Sequence, residues 1–329
     1  IVIDVLNAGT GTLTLDANDG LISNDATAVV AGIVNFQNSS GIGSDPNDFS
    51  TQSSEINFIA GITGAAFVTN SSASGVSISG DSAGSIELHE ATGSLIIAAE
   101  NLLSNDNSIE LFSDLGNIIL TGNVDAGSSD LVLQAAGLIS GSGLLTSSTL
   151  NINTTTGIGS SGNLIQSSSN EIHFFNSTSG GTYISNSSVA GVTISSDVNN
   201  AGVINFSETA GELIVNAVST DGERGVFNSA QNITLSGEIS AIGNNITISS
   251  DAAINGSSTL IADDIDLTAQ SGIGNISGLV TTASDVIFSN ASNLVDITSN
   301  VSDLYISGNA GSGNINLTNN NGHITLANI

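Results

Sequence analysis

Short segments of alternating apolar and small polar residues return about every 20 residues along this chain, and no other feature restricts the fold as much. Examples are "TLTL" (12–15), "INFI" (56–59), "VSIS" (76–79), "IELH" (86–89), "ITLS" (233–236), "ITIS" (246–249), "IDLT" (265–268) and "INLT" (315–318). A period of two puts one face of a strand in a core and the other in solvent. Strands start at 131, 150, 172, 192, 213 and 233, in near-equal steps. Gly, Asn, Asp and Ser fill the gaps, as turn chemistry requires, and no window carries a helical period with caps. The beat predicts an all-β chain wound as a parallel β-helix, a solenoid whose coils of ~20 residues stack about 4.8 Å apart. At that coil length the chain makes about sixteen coils of one continuous solenoid. The rival is an array of β-sandwich domains of ~115 residues. A chain with no Trp, two Tyr and one Pro, and with near-equal strand spacing, favours the solenoid.

A longer period lies over the short one. The tripeptide Gly41-Ile42-Gly43 recurs as Gly157-Ile158-Gly159 and Gly272-Ile273-Gly274, at intervals of 116 and 115 residues. The flanking strands keep step: "LVLQ" at 131 and "ITIS" at 246 are 115 apart, as are "LNIN" at 150 and "IDLT" at 265. The chain therefore divides into the C-terminal part of a unit (1–40), two whole units (41–156 and 157–271) and the N-terminal part of another (272–329).

Composition removes several function classes. Thirty acidic residues face a single basic side chain, Arg224, for a net charge of −29, and there is no Cys. Without cations the chain has no means of neutralising phosphates, so nucleic acid is excluded as a partner. No apolar run is long enough for a membrane-spanning helix, so none is expected. Disulfides and thiolate metal sites are ruled out, and without Lys so are Lys–Asn isopeptide staples. The 39% apolar content is enough to bury a core. Stability must come from stacked hydrogen bonds and apolar columns, and the shortage of Lys and Arg also removes trypsin sites.

Strings such as "GNIILTGNVDAGSSDLVLQAAGLISGSG" and "NNITISSDAAINGSSTLIADDIDLTAQSGIG" resemble the filamentous-haemagglutinin-like exoproteins of bacteria. The resemblance covers nearly the whole chain and rests on "(N/D)IxLT" strands, "GxI" turns and the scarcity of Lys and Cys. It implies a right-handed parallel β-helix, secreted by a two-partner route and displayed outside the cell.

Candidate chemistry is sparse. His89, His173 and His323 lie on or beside strands in no metal-binding spacing, and no nucleophile elbow is present. Polysaccharide-acting enzymes also use this fold, and a hydrolase needs two carboxylates. The densest set, Asp263, Asp264 and Asp266, reads as a solvated edge, with Asp264 and Asp266 flanking an inward Ile265. Two loops offer oxygen ligands for Ca²⁺: Asp16, Asn18, Asp19 and Gly20 in "DANDG", and Asp45, Asn47 and Asp48 in "SDPNDF". Neither recurs in the other units, and ordinary Asx turns account for both. Thirteen N-x-S/T sequons occur, among them Asn70, Asn153, Asn176, Asn186, Asn232, Asn245 and Asn300. No catalytic, cofactor-binding or metal-binding residue is assigned.

The expectation is therefore a non-catalytic structural shaft of a large secreted or surface-displayed repetitive protein: an adhesin stalk or an extracellular filament or sheath component. The alternative is a β-helix that binds or degrades polysaccharide. The location is extracellular or at the cell surface, with cell-surface glycans as candidate partners. The opening "IVIDVLNAGTG" has neither Met nor a signal peptide, and the repeat phase is broken at both ends. Flanking repeats of the same chain, or other copies end to end, are thus expected against terminal coils that carry no cap. Ile233, Leu235, Ile246, Ile248, Ile265 and Leu267 should be buried, and Thr234, Thr247 and Asp266 exposed.

Overall fold

The computed structural model describes residues 1–24, 27–196, 201–220, 222–274 and 278–328. Among these the chain is all-β without a helix, and it forms a parallel β-solenoid with coils of about 21 residues. It divides into two compact units, Ile1–Ser169 and Asn170–Ile329.

In the first unit the apolar positions of successive coils fall directly on one another. Leu13 pairs with Val34, Val34 with Ile56, Ile56 with Ile78, Ile78 with Ile97 and Ile97 with Leu120, each partner one coil further along the chain. A second column runs Val68, Leu88, Leu111, Leu133, Ile152. From Val34 and from Val68 onward these side chains are buried. Burial of one such aliphatic contributes about 1.5–3 kcal/mol. Phe36 and Phe58 are also in register and stack with centroids 5.9 Å apart, while Phe49 meets Phe36 edge-on at 5.1 Å.

The second unit is built alike. One column is Val192, Leu213, Ile233 and Ile254. Another is Ile184, Phe206, Phe227, Ile248, Leu267 and Phe288. Ile233, Leu235, Ile246, Ile248, Ile265 and Leu267 are buried and Asp266 is exposed, as the alternation requires. Thr234 and Thr247 are half-buried rather than exposed. In a parallel stack an outward side chain is shadowed by neighbours about 4.8 Å above and below it. Thr234 lies between Ile214 and Asn255, and Thr247 between Val226 and Asp266.

The Gly-Ile-Gly tripeptide is a corner. Ile42, Ile158 and Ile273 are fully buried. The N–H of each following glycine donates to the preceding coil at 2.8 Å: Gly43 to Ile22, Gly159 to Ile139 and Gly274 to Ile254. Those three glycines hold φ of 62°, 64° and 71°, a conformation that costs L-residues. The chain then leaves the stack: Ser44 and Asn47 form an antiparallel bridge, as do Ser160 and Asn163. The corresponding residues of the third turn, 275–277, lie outside the described residues.

Candidate functional site

Several strands end on an inward side chain that is polar. Five-residue strands such as Ile86–Glu90 and Ile204–Glu208 bury their first, third and fifth residues, and the fifth sits where the chain turns. There the backbone N–H groups of the turn need acceptors that no neighbouring strand supplies. Glu90, fully buried, answers that need. Its Oε1 accepts from the backbone N–H of Ser72, Thr92 and Gly93 at 3.1, 3.0 and 2.9 Å, and from the Thr92 hydroxyl at 3.2 Å. Its Oε2 accepts from Asn70 Nδ2 at 2.5 Å. The second unit repeats the arrangement with Glu208. Oε1 accepts from the N–H of Ser188, Ala210 and Gly211 at 3.1, 2.8 and 3.1 Å, and Oε2 from Asn186 Nδ2 at 2.6 Å. One coil further on, Ser113 Oγ donates to the Gly93 carbonyl at 2.9 Å and Ser229 Oγ to that of Gly211 at 3.1 Å. Asn, Glu and Ser on three successive coils thus make a hydrogen-bonded corner in each unit.

Apolar–polar alternation alone does not mark Glu90 and Glu208 as corner residues. The signal was present: in "IELHEATG" and "INFSETAG" an acidic residue stands at inward parity, three residues before a glycine. The corners also reassign sequons. Asn70, Asn176 and Asn186 are fully buried. Asn70 holds Glu90 and the backbone of Ser53, and Asn176 donates to the carbonyls of Ser179 and Ala201. In the folded chain these three amides are structural and closed to modification.

The outward faces carry the remaining candidates. His89 Nε2 lies 3.1 Å from Glu87 Oε1, and its ring stacks on Phe112 at 4.2 Å. His173 Nε2 lies 3.0 Å from Glu171 Oε1, and its Nδ1 meets the Ser195 hydroxyl at 2.5 Å. His323 is exposed at the start of the strand His323–Ala327. Each histidine thus has its own local setting. Glu110 is stacked in register on Glu87. Burial first, then the charge of Glu87 and that of Asp130, pushes its carboxyl above the ordinary value, and His89 opposes this. Asp263, Asp264 and Asp266 are all exposed. Asp264 pairs in register with Asp285, whose carboxyl is raised by burial and then by Asp264.

Of the two oxygen-rich loops, "DANDG" closes on itself. Asp16 accepts from the N–H of Asn18 at 3.1 Å and from the side chains of Gln37 and Asn38 at 3.0 and 3.1 Å. These bonds hold its carboxyl below the usual range. Asn18 and Asp19 turn the chain with φ of 46° and 68°. In "SDPNDF" Asp48 accepts from the Thr69 hydroxyl at 2.6 Å. Beneath this loop lies a groove of about 700 Å³ whose apolar shelf is Leu21 and Pro46. Among the described residues no three His, Asp or Glu side chains converge as metal ligands would, and no helix is long and apolar enough to cross a membrane. No family model, curated protein or solved structure matches the chain.

Proposed function

We propose that this chain is a non-catalytic structural shaft of a large secreted or surface-displayed repetitive protein, an adhesin stalk or a component of an extracellular filament or sheath. The observation that carries the reading is the use to which buried groups are put. Aliphatic columns join coil to coil, and the buried polar side chains Glu90, Glu208, Asn70 and Asn186 are spent on corner hydrogen bonds. A chain organised this way devotes its interior to continuation of the stack. Extracellular or cell-surface display fits a chain whose only basic side chain, and so whose only trypsin site, is Arg224. Flanking repeats of the same chain, or further copies, are its expected neighbours.

The test is surface display in the native cell. Antibodies raised against residues 1–329 should label intact, unpermeabilised cells, and the same epitope should be lost after mild treatment with a broad-specificity protease. Trypsin, which finds only Arg224 in this chain, should leave most of it intact. Labelling only after permeabilisation would overturn the reading.

A further inference from the structure

We propose that a groove on the outer face of the first unit binds an amino-sugar polymer that carries free amines. Two irregularities in the stack create it. Phe36 pairs with Phe58, but Gln37 pairs with Ala60, so Ile59 bulges outward and is half exposed. Two coils on, Ile97 pairs with Ile78, but Leu102 pairs with Gly80, so residues 98–101 swing away from the stack. Between these two lips lies a cavity of about 510 Å³.

The chemistry of its walls is one-sided. On the floor Ser79 Oγ donates to Asn57 Oδ1 at 2.8 Å, and Asn57 Nδ2 donates to Asn35 Oδ1 at 3.0 Å and to Glu55 Oε1 at 2.7 Å. The amide donors are thereby consumed within the protein, and what faces the groove is rich in acceptors. Glu55 stands on one side and Glu100 on the other. Glu100 is exposed and makes no hydrogen bond among the described residues. The first unit contains no Lys or Arg to neutralise either. A ligand for this groove must bring donors and positive charge.

Ile59 and Ala98 add an aliphatic lip. The groove crosses three coils, two spacings of about 4.8 Å, which is roughly the length of two sugar rings. A 2-amino-hexose chain meets all three demands: its ammonium groups face the carboxylates, its hydroxyls donate to Asn57 and the serines, and its C–H face lies on the aliphatic lip. A basic peptide would use the carboxylates alone. This inference does not depend on the chain being a shaft.

The experiment is titration of the whole chain with a glucosamine tetramer, followed by calorimetry and by amide NMR shifts. Saturable 1:1 binding is expected, with shifts confined to residues 55–100 and weakening as NaCl is raised from about 20 to 150 mM. Affinity should fall at least tenfold for the N-acetylated tetramer and for Glu55→Gln/Glu100→Gln. It should be unchanged for Asp114→Asn/Asp130→Asn, which removes the same charge from exposed positions elsewhere in the unit. Circular dichroism of each variant should match the wild type. Absence of binding, equal loss in both double variants, or equal affinity for tetralysine at the same amides would each overturn the proposal.

Discussion

At Glu90 the chain buries a carboxyl side chain at a position where strict alternation calls for an aliphatic one, and the hydrogen bonds around it explain why. Asn70 is locked in orientation: its Oδ1 accepts from Ser53 N–H at 2.9 Å, and its Nδ2 donates to the Ser53 carbonyl at 3.1 Å. Glu90→Gln therefore sets a new NH₂ against the Asn70 amide or, turned over, against the N–H groups of Ser72, Thr92 and Gly93. A donor left without an acceptor in a buried site costs about 1–3 kcal/mol. Glu90→Gln should lower the unfolding free energy by that order in urea titrations, whereas Ser113→Ala, which loses one bond to Gly93, should cost about 1 kcal/mol. An unshifted midpoint for Glu90→Gln would show that the corner does not hold the stack. Glu110 predicts the opposite sign. Its folded carboxyl titrates above the ordinary 4.5, through burial first and Glu87 second. Between the two values the folded state holds more protons than the unfolded one, so this group's contribution to stability falls as pH rises through that window. Glu110→Gln should be more stable than wild type at pH 7. Its advantage should shrink on acidification below the raised value, as read from the difference in unfolding free energy between pH 8 and 4. Asp16, lowered by its three donors, contributes stability above its ordinary value that is lost as pH falls.

The recurring corner at Gly-Ile-Gly makes the element scale testable. A Cβ on Gly43 would lie 2.4 Å from the Phe67 carbonyl oxygen and 2.6 Å from the Phe49 nitrogen, both backbone atoms, at a φ of 62°. Left-handed φ alone costs an L-residue about 1–2 kcal/mol, and the backbone clash adds to it. Gly162, at the tip of the corresponding loop in the next repeat, would meet nothing within 4 Å. Gly43→Ala should therefore lower Tm by several degrees while Gly162→Ala leaves it within about a degree, by calorimetry. Equal effects would mean that the corner tolerates remodelling. This element also shows what the sequence made readable. Apolar alternation and its regular beat were enough to predict a solenoid and its inward residues, because a one-residue slip would expose every aliphatic of a strand. The role of the fifth inward position was not readable in the same way. A hydrophobicity pattern registers Glu90 and Glu208 as polar and therefore outward, while their burial is set by N–H groups two or three residues away and one coil apart. The half-burial of Thr234 and Thr247 was missed for a related reason: the neighbours that shadow them are a full coil away along the chain. The groove at Glu55 and Glu100 depends on two bulges, and residue types alone do not place a bulge.

For the whole molecule, the governing quantity is a net charge of −29 with one basic residue. Most proteins lose surface attractions when salt is added. Here the ion pairs among the described residues are the two His–Glu contacts, His89–Glu87 and His173–Glu171, so there is little attraction to screen. Repulsion among some thirty carboxylates acts over the full Debye length, about 30 Å at 0.01 M and about 8 Å at 0.15 M. Folding concentrates those charges and the unfolded chain spreads them, so the compact state bears the larger share of the repulsion. Added NaCl should therefore raise Tm, by about 2–4 °C for each kcal/mol of relieved repulsion in a unit of this size. Most of the rise should fall between about 10 and 150 mM, where the screening length shortens most. Confining the measurement to that range separates screening from the strengthening of apolar burial that sulfate and similar salts produce at higher concentration. NaCl and NaClO₄ at equal ionic strength should then give the same shift. A Tm that is flat across this range would mean that the carboxylates are already neutralised by site-bound cations, whereas one that differs between the two anions would mean that specific anion effects, not screening, move it. In the first case removal of divalent ions with EDTA should restore the salt dependence.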